Sequence, residues 1–212
     1  MKSFDSALEI LYEDNHLLAV NKKAGLLTQP NQSGEKNLED LAKAYLKEKK
    51  QKEGRVFLHA LHRLDRPVSG IVLFAKTSKA LSRLNESMRN REVEKMYLAK
   101  VEGHLEEKSG ELIHFLTHGS HRAHVGKEGK KAHLSYAKIQ KEKDATLVEI
   151  TLHTGRYHQI RAQFSHSGHP ILGDTKYGAK TSQGNIALHH AKLTFPHPIS
   201  KELKTVISTP PF

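Results

Sequence analysis

The spacing of apolar residues predicts a mixture of short strands and amphipathic helices. Residues 10–27 (ILYEDNHLLAVNKKAGLL) predict two short strands joined by a polar turn at 13–16. Residues 37–50 predict a helix with Asn37 as its N-cap, and residues 78–93 predict a second one. The apolar positions of the two helices recur at helical spacing: Leu38, Leu41, Ala42, Tyr45 and Leu46 in the first, Ala80, Leu81, Leu84 and Met88 in the second.

From residue 70 onward, predicted strands and helices again follow one another without a regular order. Strands are predicted at 70–75 (GIVLFA), 94–103, 132–140, 145–153 and 186–195, the last of these placed directly before a Pro-rich tail. The polar, His-rich segment 104–131 predicts a long hairpin or loop, and 155–168 predicts a helix ending at Gly168. Because strands and helices mix without a regular βαβ rhythm, an α+β fold is favoured.

Length and composition bound the class of protein. The 212 residues suit one domain, or one domain of two lobes, and 37% hydrophobic with 27% charged residues is ordinary for a globular protein. The absence of cysteine excludes disulfides, a thiol nucleophile and a cysteine metal site. With no apolar run of membrane-spanning length and no signal peptide, we expect a cytoplasmic protein without a membrane partner.

The charge suggests a partner. Lys and Arg number 34 against 23 Asp and Glu, giving a net charge of +11. This balance favours a polyanion, most often nucleic acid, although a basic surface that serves only solubility is the simpler alternative.

The stretch HRLDRPVSG (62–70) holds one carboxylate, Asp65, between two arginines. Pro67 fixes one backbone angle and Gly70 permits a close backbone approach, so a carboxylate held here suits a nucleophile or base. A turn residue that caps backbone amides is the alternative, and the local sequence alone favours it.

Arg161 shifts the interpretation of Asp65 from a turn-capping residue toward a catalytic one. On the predicted helix it shares a face with Tyr157, Ile160 and Phe164, and a guanidinium at the core edge needs a carboxylate partner. Asp65 is a reasonable candidate, unless the arginine stem carries its charge out to water or RNA. Tyr97, in the strand at 94–103, indicates an ordinary core tyrosine when taken alone.

Three separated stretches together resemble one family. HRLDRPVSGIVLFAK, KMYLAKVEG and TGRYHQIRAQFSHSGHPILGDTKYG are similar, in order and rough spacing, to the three motifs of RluA-type pseudouridine synthases. The flanks ILYEDNHLLAVNKKAGLL and LHHAKLTFPHP are similar to the ends of that family's domain. The resemblance implies a mixed, largely antiparallel sheet with flanking helices and a central RNA-binding cleft. It also implies a single catalytic domain over 1–212, with two lobes and no separate S4 domain.

The resemblance assigns roles residue by residue. Asp65 matches the catalytic aspartate, Tyr97 the tyrosine that stacks on the target base and assists proton removal, and Arg161 the arginine paired with the catalytic carboxylate. Arg63 matches the arginine that fills the space left by the flipped nucleotide. The same motifs imply four further substrate-binding residues, namely His62, Arg156, His158 and Gln159.

The implied reaction breaks the bond between ribose and uracil nitrogen and joins ribose to uracil carbon 5, which requires no metal or cofactor. Asp65 would attack the anomeric carbon, giving an acylal, or remove the ribose 2′ hydrogen, giving a glycal; the sequence does not choose. The expected partner of a monomeric enzyme is ribosomal or transfer RNA, with transfer RNA slightly favoured. Two departures from the family pattern are Lys23, expected to alter only a loop, and Val68, expected to affect the positioning of Asp65.

Four histidines, at 114, 118, 121 and 124, recur at spacings close to those of metal ligands on a helix. Gly119 and Ser120 interrupt that helix, so a loop that reaches toward RNA is favoured over a metal site. Two rival functions stay open: a non-catalytic RNA-binding ribosome-assembly factor on the same fold, and an RNA N-glycosylase that uses Asp65 to release uracil.

Overall fold

The computed structural model describes residues 8–32, 34–51, 54–182 and 184–212. The chain forms two compact units. Unit 1 comprises Met1–Val93 and Ala191–Thr209, and unit 2 comprises Glu94–His190 and Pro210–Phe212. Among the described residues, no helix is both long and apolar enough to cross a membrane.

Unit 1 is built on antiparallel strand pairs. β2 pairs with β1 and with β4, β3 pairs with β4, and β11 pairs with β10. The bounds are β1 Glu9–Glu13, β2 Leu17–Lys22, α1 Leu38–Lys49, β3 His59–Ala60, β4 Ser69–Ala75, α2 Ser78–Arg89, β10 Leu188–Pro196 (in unit 1 from Ala191) and β11 Leu203–Ile207.

The centre of unit 1 is strand β4, all seven residues of which are buried. Its apolar side chains pack against α2 and against Leu193 and Phe195 of β10 in one core. Gly70, the second residue of the strand, has a φ of 113°, a conformation that L residues rarely adopt. The glycine therefore allows the chain to pass from the Asp65 turn directly into a buried strand.

Unit 2 is a five-stranded antiparallel sheet in the order β5-β9-β8-β6-β7. One helix packs on it, with Ala162 against Leu116, Ala132 and Tyr177. The bounds are β5 Glu94–Glu102, β6 Ser109–His118, β7 Ala123–Gly126, β8 Lys130–Lys141, β9 Ala145–Leu152 and α3 Gln159–His166, with a short 3₁₀ helix at Thr175–Tyr177.

Most predicted elements are confirmed, including the α+β class, the Asn37 cap and the hairpin within 104–131. Three predictions were wrong. The helix at 78–93 ends at Arg89, and Arg91 beyond it is left-handed with φ of 61°. The helix at 155–168 begins only at Gln159, because His158 has a left-handed φ of 51°. The strand at 186–195 is not the last one, since the exposed strand β11 follows it.

Candidate active site

The Asp65 turn belongs to unit 1, and its backbone is held on both sides of the carboxylate. The Thr28 hydroxyl donates to the Leu64 carbonyl (2.9 Å) and accepts from the Leu64 N–H (3.1 Å). The Val68 N–H donates to the Asp65 carbonyl at 3.0 Å, which closes the turn. Val68 is itself buried. The half-buried Asp65 side chain therefore projects from a fixed backbone.

Lys22, the last residue of β2, also holds this turn and the loop beside it through hydrogen bonds to their backbone carbonyls. Its side chain is fully buried (0% exposed), and its ammonium donates to the carbonyls of Lys23 (3.2 Å), Leu26 (2.7 Å) and Arg66 (3.1 Å). Burial lowers the pKa of Lys22 to about 8, although the negative charge of Asp65 opposes the shift. Sequence reasoning missed this residue, and its only signal was a lysine at the end of a strand that begins with four apolar residues.

Lys22 makes stability depend on pH. Between its folded pKa of about 8 and its ordinary value of 10.5, the unfolded chain binds more protons, so this residue makes the free energy of unfolding rise with pH. The full rise is worth about 3 kcal/mol. We expect Lys22→Met to reduce the rise of the free energy of unfolding with pH, as measured by urea denaturation from pH 7.5 to pH 10.5. A slope unchanged from that of the wild type would show that the Lys22 ammonium is not depressed.

The two arginines that flank Asp65 differ. Arg66 donates to the Gly25 carbonyl (3.1 Å) and pairs with Glu35 (3.0 Å), so it binds the neighbouring loop. Arg63 is exposed and makes no hydrogen bond or ion pair within the described part of the chain. His62 accepts a hydrogen bond from the Leu73 N–H at 3.4 Å, which ties it to β4.

Tyr97 lies in β5 of unit 2 and is buried. Its ring stacks on the imidazole of His190, with the ring centroids 4.5 Å apart and the planes inclined by 18°. His190 is fully buried in β10. One face of the Tyr97 ring is therefore supported by an imidazole, a role that the sequence analysis had not given to His190.

Arg161 is buried in α3 (4% exposed) and forms a two-fold ion pair with Asp174, of which 1% is exposed. The Nε–Oδ2 distance is 2.6 Å and the Nη2–Oδ1 distance is 2.9 Å. The guanidinium also lies over the Tyr177 ring, 5.0 Å from its centroid.

The predicted need of Arg161 for a carboxylate is confirmed, but Asp174 meets it from within unit 2. The burial of Arg161 therefore gives no independent support to a pairing with Asp65. That pairing stays a prediction of the family resemblance.

The other three predicted substrate residues lie in the turn before α3 and at the first residue of that helix. Arg156 is exposed, with its Nε donating to the Lys131 carbonyl at 3.0 Å. His158 and Gln159 are buried. The His158 Nδ1 shares a hydrogen bond with the Tyr177 hydroxyl (2.9 Å), and the Gln159 amide oxygen accepts from the Arg156 N–H (3.0 Å). His158 and Gln159 thus hold the turn that presents Arg156.

The four clustered histidines do not share a helix, since His114 and His118 lie on strand β6 and His124 on β7. The His114 Nδ1 accepts from the Gln163 amide (3.1 Å), and the His118 ring stacks on Tyr157. Within residues 8–32, 34–51, 54–182 and 184–212, no group of three or more His, Cys, Asp or Glu side chains is arranged to hold a metal ion.

Comparison with known proteins identifies the class. Residues 16–166 match the RNA pseudouridylate synthase family, and the chain belongs to that family. It is therefore an enzyme, a pseudouridine synthase, and the RluA-type resemblance of its three motifs is confirmed.

Two relatives and one solved structure illustrate the match. The chain is 37% identical to the dual-specificity RNA pseudouridine synthase RluA of Haemophilus influenzae, over 93% of this chain and 91% of the relative. It is 34% identical to the ribosomal large subunit pseudouridine synthase C of Escherichia coli, over 93% and 65%. The structure of human RNA Pseudouridylate Synthase Domain Containing 1 shares the fold, with a TM-score of 0.78 at 24% identity over 97% of this chain and 84% of the other.

Proposed function

We propose that the protein isomerises specific uridines of structured ribosomal or transfer RNA, with Asp65 as the nucleophile or base. The observation that carries this proposal is the fixed backbone around Asp65. Thr28 holds the residue before it and Lys22 the residue after it, so the backbone that carries the carboxylate is fixed without depending on contacts of the carboxylate itself. A carboxylate that must reach one atom of a bound ribose needs such positioning.

Asp65 would open the reaction by one of two routes. In one, a carboxylate oxygen bonds to the anomeric carbon as the glycosidic bond breaks and its electrons pass to uracil. In the other, the carboxylate takes the 2′ proton as the glycosidic bond breaks, which leaves a glycal and a uracil anion. After uracil turns, its carbon 5 bonds to the anomeric carbon; in the first route the carboxylate leaves that carbon, and in the second it returns its proton to the 2′ carbon. A base then takes the proton from carbon 5 and uracil nitrogen 1 gains a proton, so the reaction is an isomerisation with no net gain or loss of atoms.

Tyr97 and Arg161 would act on the same nucleotide. The Tyr97 ring, stacked on His190, would offer its other face to the detached uracil, and its hydroxyl would assist the loss of the carbon 5 proton. Arg161, aimed by Asp174, would keep the catalytic carboxylate ionised.

The target base must leave its stack in the RNA before Asp65 and Tyr97 can reach the nucleotide, at a cost of a few kcal/mol. Arg63, exposed beside Asp65, would fill the vacated space, and the net charge of +11 would bind the RNA backbone. Arg156 would add a contact from unit 2. One of the two relatives is a dual-specificity RNA pseudouridine synthase and the other a ribosomal large subunit pseudouridine synthase, which supports an RNA substrate and, from the second, ribosomal RNA in particular.

Transcriptome-wide pseudouridine mapping tests this proposal. RNA from cells lacking the gene is compared with RNA from the same cells rescued by the wild type or by Asp65→Asn. We expect one or a few pseudouridines in ribosomal or transfer RNA to disappear and to return only with the wild type. If no pseudouridine depends on the gene, or if Asp65→Asn restores every lost site, the proposed function is wrong.

A further inference from the structure

Lys95 is a buried lysine to which the reaction described above gives no task. It lies in β5, two residues before Tyr97, and only 9% of it is exposed. Alternate residues of a strand point to the same face, and the burial pattern of β5 places Lys95 and Tyr97 on the same, inner face. The ammonium therefore lies on the side of the strand that carries the Tyr97 ring.

The other buried or half-buried lysines of this protein have partners. Lys22 donates to three carbonyls, and Lys100 pairs with Glu142 at 2.9 Å. Lys95 makes no hydrogen bond and no ion pair to any residue within 8–32, 34–51, 54–182 and 184–212, and burial alone lowers its pKa. A buried cation without a partner is costly, and such groups concentrate at functional sites.

Gly155 borders the Lys95 ammonium. A Cβ at Gly155 would lie 3.8 Å from the Lys95 Nζ, in ordinary van der Waals contact, so the ammonium lies directly beside the side of this glycine that carries no side chain. Gly155 is exposed, and the exposed Arg156 follows it. A ligand atom can therefore approach the Lys95 ammonium from solvent along this turn.

We propose that Lys95 binds a phosphate oxygen of the RNA next to the uridine that stacks on Tyr97. The inference rests on the proposed function. Two residues along a strand span about 7 Å, so an ammonium and a ring at this spacing can contact the phosphate and the base of adjoining parts of one RNA strand. A lysine on a flexible stem is a point charge well suited to a phosphate.

A matched pair of variants separates this role from a structural one. Lys95→Met keeps the apolar stem and removes the charge, and Lys100→Met does the same at a lysine of the same strand that is paired with Glu142. We expect Lys95→Met to weaken binding of the RNA segment found by the mapping experiment by about tenfold or more. The slope of log Kd against log salt concentration should fall by about one. Its melting temperature should equal or exceed that of the wild type, because an unpaired buried charge has been removed.

A second measurement needs no knowledge of the target RNA. Lysines carrying ¹³C at the ε position are followed by NMR during addition of uridine 5′-monophosphate, uridine or inorganic phosphate, and the Lys95 signal is the one missing in Lys95→Met. We expect the nucleotide and inorganic phosphate to shift this signal and uridine to leave it in place.

Three results would overturn the proposal. In the first, Lys95→Met binds RNA as Lys100→Met does. In the second, it melts at a clearly lower temperature with unchanged affinity, which would make Lys95 structural. In the third, uridine shifts the Lys95 signal as much as the nucleotide does, which would place the base rather than the phosphate at the ammonium. A phosphate-dependent shift in a protein on which no pseudouridine depends would instead refute the proposed function and leave the anion site standing.

Discussion

We expect replacement of Asp65 by Asn to abolish pseudouridine formation and to leave the fold intact. An amide can neither bond to the anomeric carbon nor take the 2′ proton, so we expect the single-turnover rate to fall about 10⁴-fold or more, as for removal of other catalytic nucleophiles. The turn itself should survive, because Thr28 and Lys22 hold its backbone atoms rather than its carboxylate. The rate is measured with purified protein on an unmodified transcript of the mapped RNA.

Asp144→Asn is the control for this experiment, since it makes the same chemical change at an exposed carboxylate of unit 2. Its rate should match that of the wild type. Circular dichroism and the melting temperature of Asp65→Asn should also match. A rate for Asp65→Asn within tenfold of the wild type would remove Asp65 from the chemistry.

Breaking the Arg161–Asp174 pair should cause the largest loss of stability. Asp174→Asn removes the negative charge that faces the Arg161 guanidinium, of which 4% is exposed, and breaking a buried pair in this way costs about 3–5 kcal/mol. The free energy of unfolding is measured by urea denaturation. Glu35→Gln, which breaks the exposed Arg66–Glu35 pair, is the control and should cost about 1 kcal/mol or less.

The double variant Arg161→Met with Asp174→Leu separates stability from activity. Replacing both members of a buried ion pair by apolar residues of similar size is often neutral or stabilising, so the free energy of unfolding should return toward that of the wild type. Activity should not return, because the guanidinium proposed to act on the catalytic carboxylate is gone. Equal losses for Asp174→Asn and Glu35→Gln would contradict the buried character of the pair.

The sequence predicted correctly those helices and strands that depend on neighbouring residues alone, such as a capped helix or a continuous apolar strand. Asn37 caps α1 through its side chain, which accepts from the Asp40 N–H at 3.0 Å, and the apolar run at 70–75 lies within the fully buried β4. The late start of the predicted helix at Gln159 carried no such signal, because few non-glycine residues adopt the left-handed conformation of His158, even though histidine does so more often than most. Strand β11 is short and largely exposed, so its pattern resembles that of a tail.

The residues of the candidate site likewise fall into those that the sequence identified and those that only the folded structure shows. The motifs pointed to Asp65, Tyr97 and Arg161, and helical spacing showed that Arg161 needs a carboxylate. Spacing could not say which carboxylate, since Asp174 reaches Arg161 through the folding of a loop thirteen residues away. Lys22 carried only the weak signal of its position at the end of β2, and Lys95 escaped notice because a buried lysine differs from an exposed one chiefly in its tertiary surroundings.

The central claim is that this chain moves the ribose bond of uridine from nitrogen to carbon 5 through Asp65. Purified protein is incubated with RNA from cells lacking the gene, labelled with tritium at carbon 5 of its uridines. Each isomerisation displaces the hydrogen at carbon 5, so the wild type should release tritium to water in proportion to the pseudouridine formed, and Asp65→Asn should release none. Absence of release by the wild type, or equal release by Asp65→Asn, would contradict the claim.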